Sequence, residues 1–247
     1  MIDDKGLLDK LYQEEHSDRK NLKQDFTPKE LAELISELDD TEEPAEILDV
    51  CAGIGNLTVQ ITKKKQNSNI TAVELSKRAI PFLLLNLAMQ NVNATVINGN
   101  FLTGENYKIY KLEKTKAYSD ITEVDQVSEK KYDLVISNPP FSLKAEEYNE
   151  NLFDRKYKEI IPSQRADFLF ILIMLEKLKE NGKIYCILPH GILFRGNNEK
   201  EIRKQLLLDS NIAAVIGLPE KMFLNTAIPT IILALSKKKD RRESSFY

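Results

Sequence analysis

The chain has 247 residues, 42% of them hydrophobic and 30% charged, with a formal net charge of -3. That balance supplies the core of one large soluble domain and excludes a disordered or collagen-like chain. A slightly acidic total also excludes a chain-wide nucleic-acid footprint, so any DNA or RNA contact has to come from a local patch or from a partner.

The opening segment, MIDDKGLLDK, has no basic-then-apolar signal pattern, and no apolar run approaches the roughly 18 residues of a membrane span. Cys51 and Cys186 stand far apart among apolar neighbours, which indicates reduced core thiols, neither a disulfide framework nor a zinc site, and a cytoplasmic setting. Residues 1–23 are a polar lead-in with a modest Leu7, Leu8, Leu11 stripe. Thr27-Pro28 then reads as an N-cap followed by proline at the first helical position. The helix it opens carries Leu31, Leu34, Ile35 and Leu38 on one face.

From residue 46 short apolar strands alternate with helices. Strands are expected over 47–50, 70–73, 94–97, 133–137, 183–188, 212–217 and 230–236. Helices are expected over 56–65, 77–90, 166–179 and 199–208, with Asn181-Gly182 as the stop of the third. Such alternation predicts right-handed crossovers and a doubly wound, mostly parallel α/β sheet of seven strands, the last of them antiparallel. Residues 103–130 break the rhythm as a polar insertion or mobile loop with room for one hairpin. Residues 142–165 form a long substrate-side loop, and 238–247 a basic tail after a single domain over 24–237.

Two stretches carry chemistry. In 131–141, KYDLVISNPPF, the fourth strand stops at Asn138-Pro139-Pro140-Phe141. Two prolines cannot donate to a ladder and stiffen the corner. The corner presents an amide, which is donor and acceptor together, and an aromatic face, the equipment for holding a planar amino-bearing base. Taken alone it is equally a Pro-Pro loop after a buried strand. The other stretch is LDVCAGIGNLT, residues 48–58, where strand, Gly53-x-Gly55 and helix bring backbone close to a ligand at a helix N-terminus. Glu74 closes the next strand, placed to take ribose hydroxyls. This fits NAD or S-adenosylmethionine (SAM); threonine at position 58, where a third glycine would stand, counts against NAD. Asp49 suits a cationic amino-acid end. Asn100, ending the third strand, reads as an adenine contact or an ordinary loop asparagine, and Phe101 as a pocket wall or a core residue.

With these pieces in order, the chain resembles the N6-adenine DNA methyltransferases, most closely the modification subunits of type I restriction systems. The resemblance runs from about residue 24 to 239. Gln24-Asp25-Phe26-Thr27-Pro28 looks like the family segment that touches the methionine part of SAM. Asp49, Cys51, Ala52, Gly53, Gly55, Asn56 and Leu57 match the cofactor loop, whose commoner form has proline for Val50 and threonine or serine for Ile54. Glu74 matches the ribose-binding acid, with Asn100 and Phe101 beside the adenine, and Asn138-Pro139-Pro140-Phe141 is the catalytic tetrapeptide. Ala166-Asp167, Leu188-Pro189-His190-Gly191, Leu193-Phe194-Arg195-Gly196 and Ile228-Pro229-Thr230 also look like family segments. Two departures stand out. Asn100 replaces the usual aspartate, and only about two dozen residues precede Phe26 where family subunits carry a helical domain, so a catalytic core with little around it is expected.

The resemblance implies a class I SAM-dependent methyltransferase. An exocyclic amine would attack the sulfonium methyl in line on a flipped base. Asn138 and the Pro139 carbonyl would accept hydrogen bonds from N6, and Phe141 would stack on the ring. Its implied partners are DNA and a separate specificity subunit, with no metal. His190 reads as structural or cleft-lining. Arg155, Lys156, Lys158 and Arg165 read as phosphate contacts or as a solvated loop. Methylation of a protein glutamine or of RNA, and a non-catalytic SAM-binding module, are the alternative readings.

Overall fold

The computed structural model describes residues 27–144, 146–160, 165–209, 212–220, 222–223 and 228–237; the lead-in, Phe26 and the basic tail lie outside them. Nine strands form one sheet: β1 (Glu46–Val50), β2 (Asn69–Glu74), β3 (Asn93–Asn100), β4 (Glu105–Glu113), β5 (Asp120–Val124), β6 (Tyr132–Ser137), β7 (Leu178–Pro189), β8 (Ile212–Gly217) and β9 (Thr230–Ser236). Their spatial order is β5-β4-β3-β2-β1-β6-β7-β9-β8. The run from β3 to β7 is parallel, and β9 lies antiparallel between β7 and β8. The seven expected strands are therefore present. Two more come from residues 103–130, which form the β4–β5 hairpin and extend the sheet beyond β3.

That hairpin starts with a close approach. A Cβ on Gly99 would stand 2.4 Å from the Glu105 carbonyl oxygen, at the bulge between Asn98 and Gly99, so only glycine lets the chain reverse there.

Among the described residues five α-helices cover the sheet: α1 (Lys29–Leu38), α2 (Asn56–Lys64), α3 (Ile80–Met89), α4 (Asp167–Lys177) and α5 (Asn198–Leu208). Strand residues alternate between faces, and the two cores follow that period. Ile47, Ile70, Val96 and Leu134 pack with α1, α2 and α3, whereas Leu48, Val50, Val135 and Ile184 pack with α4 and α5. Helix α4, DFLFILIMLEK, is apolar nearly all round and buries nine consecutive residues, as a helix sealed by neighbours must.

Several boundaries move. Helix α4 stops at Lys177 and β7 begins at Leu178, so Asn181, in the left-handed region at φ 61°, lies inside an irregular strand rather than at a helix end. Helix α3 opens at Ile80 with Pro81 in its first turn. Helix α1 opens at Lys29 with Pro28 as its cap residue, and no side chain caps it. Its buried face is Leu31, Ala32, Ile35 and Ser36, while Leu34 and Leu38 are partly exposed. Thr27 is thus no N-cap; its hydroxyl is engaged elsewhere.

Candidate active site

Strand β1 lies between β2 and β6, whose crossovers run to opposite faces, and the crevice at the carboxyl ends of these strands is where open α/β sheets bind ligands. A cleft of about 420 Å³ opens there. Thr27, the glycine loop (Cys51, Ala52, Gly53, Ile54, Asn56), Glu74 and Leu75 at the end of β2, Asn100 to Leu102 at the end of β3, and Asn138 to Phe141 after β6 all line it. The register explains the meeting of the two motifs. Val50 pairs with Ser137, and the Ser137 hydroxyl donates to the Val50 carbonyl at 2.7 Å, so Cys51 and Asn138 leave adjacent strands side by side.

The loop is held by hydrogen bonds that no motif marks. Asn86 on α3 donates to the Ile54 carbonyl at 2.8 Å, and Asn98 on β3 donates to the carbonyls of Glu74 and Leu75, each at 3.0 Å. One signal in the sequence points to both: an amide inside the apolar run IPFLLLNLAM, and an asparagine in mid-strand, where that residue is depleted. Cys51 and Gly55 sit in the left-handed region, at φ 60° and 94°. The positive φ favours glycine at 55, and a Cβ there would stand 2.8 Å from Leu83 Cδ1, so a side chain would also have to displace that buried leucine.

Glu74 is 5% exposed and accepts from the Gly53 amide at 2.7 Å and the Ser76 amide at 2.6 Å. A carboxylate accepts at about four positions, so capacity for ribose hydroxyls remains. Burial holds its pKa above the usual carboxylate range, against the opposing backbone hydrogen bonds. Asn100 spends its Oδ1 on the Leu102 amide at 3.0 Å, while Phe101 stacks on Phe170 of α4, rings 6.4 Å apart and nearly parallel. Phe170, Leu143, Lys144, Glu146 and Glu147 complete the wall without any sequence signal of their own.

Pro28, Asp49, Gly55 and Leu57 lie outside the lining. Asp49 alternates with Leu48 and Val50 and so points to the α2 face, where it is fully buried and accepts from the Thr58 hydroxyl. Its Oδ1 has no hydrogen-bond partner among the described residues. It lies behind the loop, outside the cleft lining. Burial, with a smaller push from the Glu74 charge and against the Thr58 hydrogen bond, raises its pKa to about 7 from 3.8.

Between those values the folded protein holds a proton that the unfolded chain has lost. This stabilisation is complete below the unfolded value and disappears as pH rises through about 7, at up to roughly 1.4 kcal/mol per pH unit. Asp49→Asn keeps an acceptor for Thr58 and removes the titration. Urea melts between pH 5 and pH 8 are expected to show a downward slope in the wild type that is reduced in the variant. Equal slopes would show that Asp49 is ionised throughout.

At the proline corner, Phe141 is only 6% exposed, fixed edge-to-face against Phe223 with ring centres 5.4 Å apart. The next residue, Ser142, is pinned from α4: its amide donates to Asp167 Oδ1 at 3.1 Å, and the Ala166 amide donates to the Leu143 carbonyl at 2.9 Å. Asp167, 1% exposed, pairs with Arg195 at 2.6 Å, and Arg195 pairs with Glu199, also at 2.6 Å. His190 is exposed, lies outside the cleft lining and packs against the Phe194 ring. Among the loop cations, Lys156 is paired with Asp209 at 2.6 Å, and Arg165 donates to the Ser142 hydroxyl at 3.2 Å.

A glycine loop after β1, an acid after β2 and a strand order with one antiparallel insertion define the class I SAM-dependent methyltransferase fold. The Asn-Pro-Pro-Phe corner narrows the class. The chain belongs to the N-6 DNA methylase family, whose profile matches residues 7–247. It is 29% identical over 239 residues to the MpnII type I restriction enzyme methylase subunit of Mycoplasma pneumoniae, covering 90% of this chain and 41% of that one. The MjaVII methylase subunit of Methanocaldococcus jannaschii is 30% identical over 230 residues, covering 87% and 36%. A solved type I restriction-modification methyltransferase subunit from Streptococcus thermophilus superposes with a TM-score of 0.70 at 29% identity, covering 88% and 45%. The chain thus spans less than half the length of these relatives.

Proposed function

We propose that this chain is the catalytic core of a methyltransferase that uses SAM to modify adenine N6 in DNA, working with a separate specificity subunit in the cytoplasm. One observation carries the reading: the glycine loop, Glu74 and Asn138-Pro139-Pro140-Phe141 share a single cleft at the switch point of the sheet.

The residues present fit the cofactor. A Cβ on Gly53 would meet nothing within 4 Å, so the loop leaves open space beside its backbone, and Glu74 retains acceptor capacity at the ribose position. Ala52, Gly53 and Asn56 would hold the amino-acid part, with Leu75, Asn100 and Phe101 around the base. SAM, when bound, supplies an electrophilic sulfonium methyl.

The chain's own part is positioning and electrostatics. Asn138 Oδ1 and the Pro139 carbonyl accept hydrogen bonds from the attacking amine, drawing its lone pair out of ring conjugation as positive charge develops. The stiff corner keeps those acceptors fixed, and Phe141, oriented by Phe223, supplies an aromatic wall. An adenine inside a duplex cannot reach this cleft without leaving the stack. The relatives are methylase subunits of type I restriction enzymes, which supports DNA as the substrate and a specificity subunit as its guide.

The test is incubation of the chain and its cognate specificity subunit with methyl-labelled SAM and cognate duplex DNA, with nucleosides resolved by mass spectrometry. Label in N6-methyladenine is the expected result. No transfer to that DNA, or label confined to RNA or protein, would overturn the reading.

A further inference from the structure

Thr27 precedes α1, yet it is tied to both sides of the cleft. Its carbonyl accepts from Asn56 Nδ2 at 3.2 Å, and Asn56 is the first residue of α2, directly after the glycine loop. Its hydroxyl accepts from Asn138 Nδ2 at 2.9 Å, across 111 positions of sequence. One residue therefore bridges the helix that follows the cofactor loop and the amide of the acceptor corner. Pro28, at φ -57°, stiffens the segment that delivers it.

An asparagine amide turns easily about its last torsion, whose minima are broad. An acceptor that must meet an amine hydrogen in one plane gains from a fixed partner on its other end. A displacement of about 1 Å at a reacting centre can cost about 10²-fold in rate.

We propose that Thr27 is a positioning residue for the acceptor site: its hydroxyl holds the plane of the Asn138 amide, with Nδ2 turned to Thr27 and Oδ1 facing the methyl-accepting amine. The Asn56 bond to the Thr27 carbonyl keeps that plane in register with the loop, so the two halves of the cleft are aligned through one residue. This assignment rests on the adenine-methylating reading of the site but differs from a cofactor contact in what it predicts. Loss of a cofactor contact raises the concentration of SAM needed for half-saturation. Loss of the amide's partner lowers turnover even when the cofactor is saturating.

The variants are Thr27→Val, which keeps shape and removes the hydroxyl, and Thr27→Ser, which keeps the hydroxyl and removes the methyl. Turnover on cognate duplex DNA, with specificity subunit, SAM and DNA all saturating, is expected to fall about 10- to 100-fold in Thr27→Val and to return to within about threefold of wild type in Thr27→Ser. The KM for DNA is expected to stay within about threefold in both. Unchanged turnover in Thr27→Val, or equal losses in both variants, would overturn the proposal.

A second readout does not depend on the substrate. The Asn138 side-chain NH2 resonances of the free protein, assigned by their loss in Asn138→Asp, are expected to shift and broaden in Thr27→Val but not in Thr27→Ser. Identical resonances in all three proteins would overturn it equally. A wild type that methylates no adenine sinks the functional reading, and the resonances then decide the positioning claim alone.

Discussion

Asn138→Ala is expected to lower turnover for methyl transfer about 10²- to 10³-fold, the usual cost of deleting one preorganised group aimed at developing charge. The amine's lone pair is delocalised into the purine ring, so an amine without acceptors on its hydrogens is a poor nucleophile. Alanine removes Oδ1 and leaves only the Pro139 carbonyl. It also removes the partner of Thr27, so the corner loses a bridge as well as an acceptor. The glycine loop and Glu74 are held by bonds from Asn86, Asn98, Gly53 and Ser76, none of which passes through Asn138. SAM affinity by calorimetry is therefore expected to stay within a few-fold of wild type, so the loss falls on turnover. Asn138→Asp keeps an acceptor and is expected to lie between wild type and alanine. Single-turnover rates at saturating SAM and DNA check both. Alanine turning over at the wild-type rate would show that the Pro139 carbonyl, or a group outside the corner, does this work.

The parts of this arrangement that follow a period are legible in the sequence. Alternating apolar strands and helices announce the doubly wound sheet, and turn residues at strand ends mark the glycine loop, Glu74 and the proline corner. The β4–β5 hairpin is announced only as room for one hairpin in a polar insertion, because strands exposed on most of their length carry polar residues on both faces and lose the alternation that would bound them. Asp49 shows where the motif and the strand period point in different directions. Its place in the loop motif suggests a ligand contact, whereas counting by twos from Ile47 sends it to the α2 face with Thr58. Thr27 is the converse case. Ser, Thr or Asp before a helix reads as a cap from local sequence alone, and only the tertiary approach of Asn138 gives its hydroxyl another partner. Asn86 and Asn98 were visible as polar residues in apolar runs, but their partners are carbonyls of distant loops, which no pattern names.

The Asp167–Arg195–Glu199 group sits behind the acceptor corner, and Arg195→Met is expected to be the most destabilising of the substitutions considered. Arg195 is 16% exposed at the side chain and lies between carboxylates that are 1% and 10% exposed. Its Nη1 is buried without a hydrogen-bond partner among the described residues, so the group already bears a desolvation cost that its two ion pairs offset. Methionine fills similar volume but leaves two buried acids without the cation they share. Breaking a buried pair from one side costs roughly 3–5 kcal/mol. That is a large fraction of the roughly 5–15 kcal/mol that holds a domain folded. Neutralising the acids as well, in the triple variant Asp167→Asn, Glu199→Gln, Arg195→Met, removes the stranded charge and keeps an acceptor for the Ser142 amide. It is expected to recover most of the loss, which separates charge burial from lost packing. Urea denaturation of the two variants measures the difference. A triple variant no more stable than Arg195→Met would assign the loss to packing by the arginine stem. Because Arg195 pairs with the carboxylate that accepts from the Ser142 amide, the single variant is also expected to lose turnover beyond its loss of folded protein.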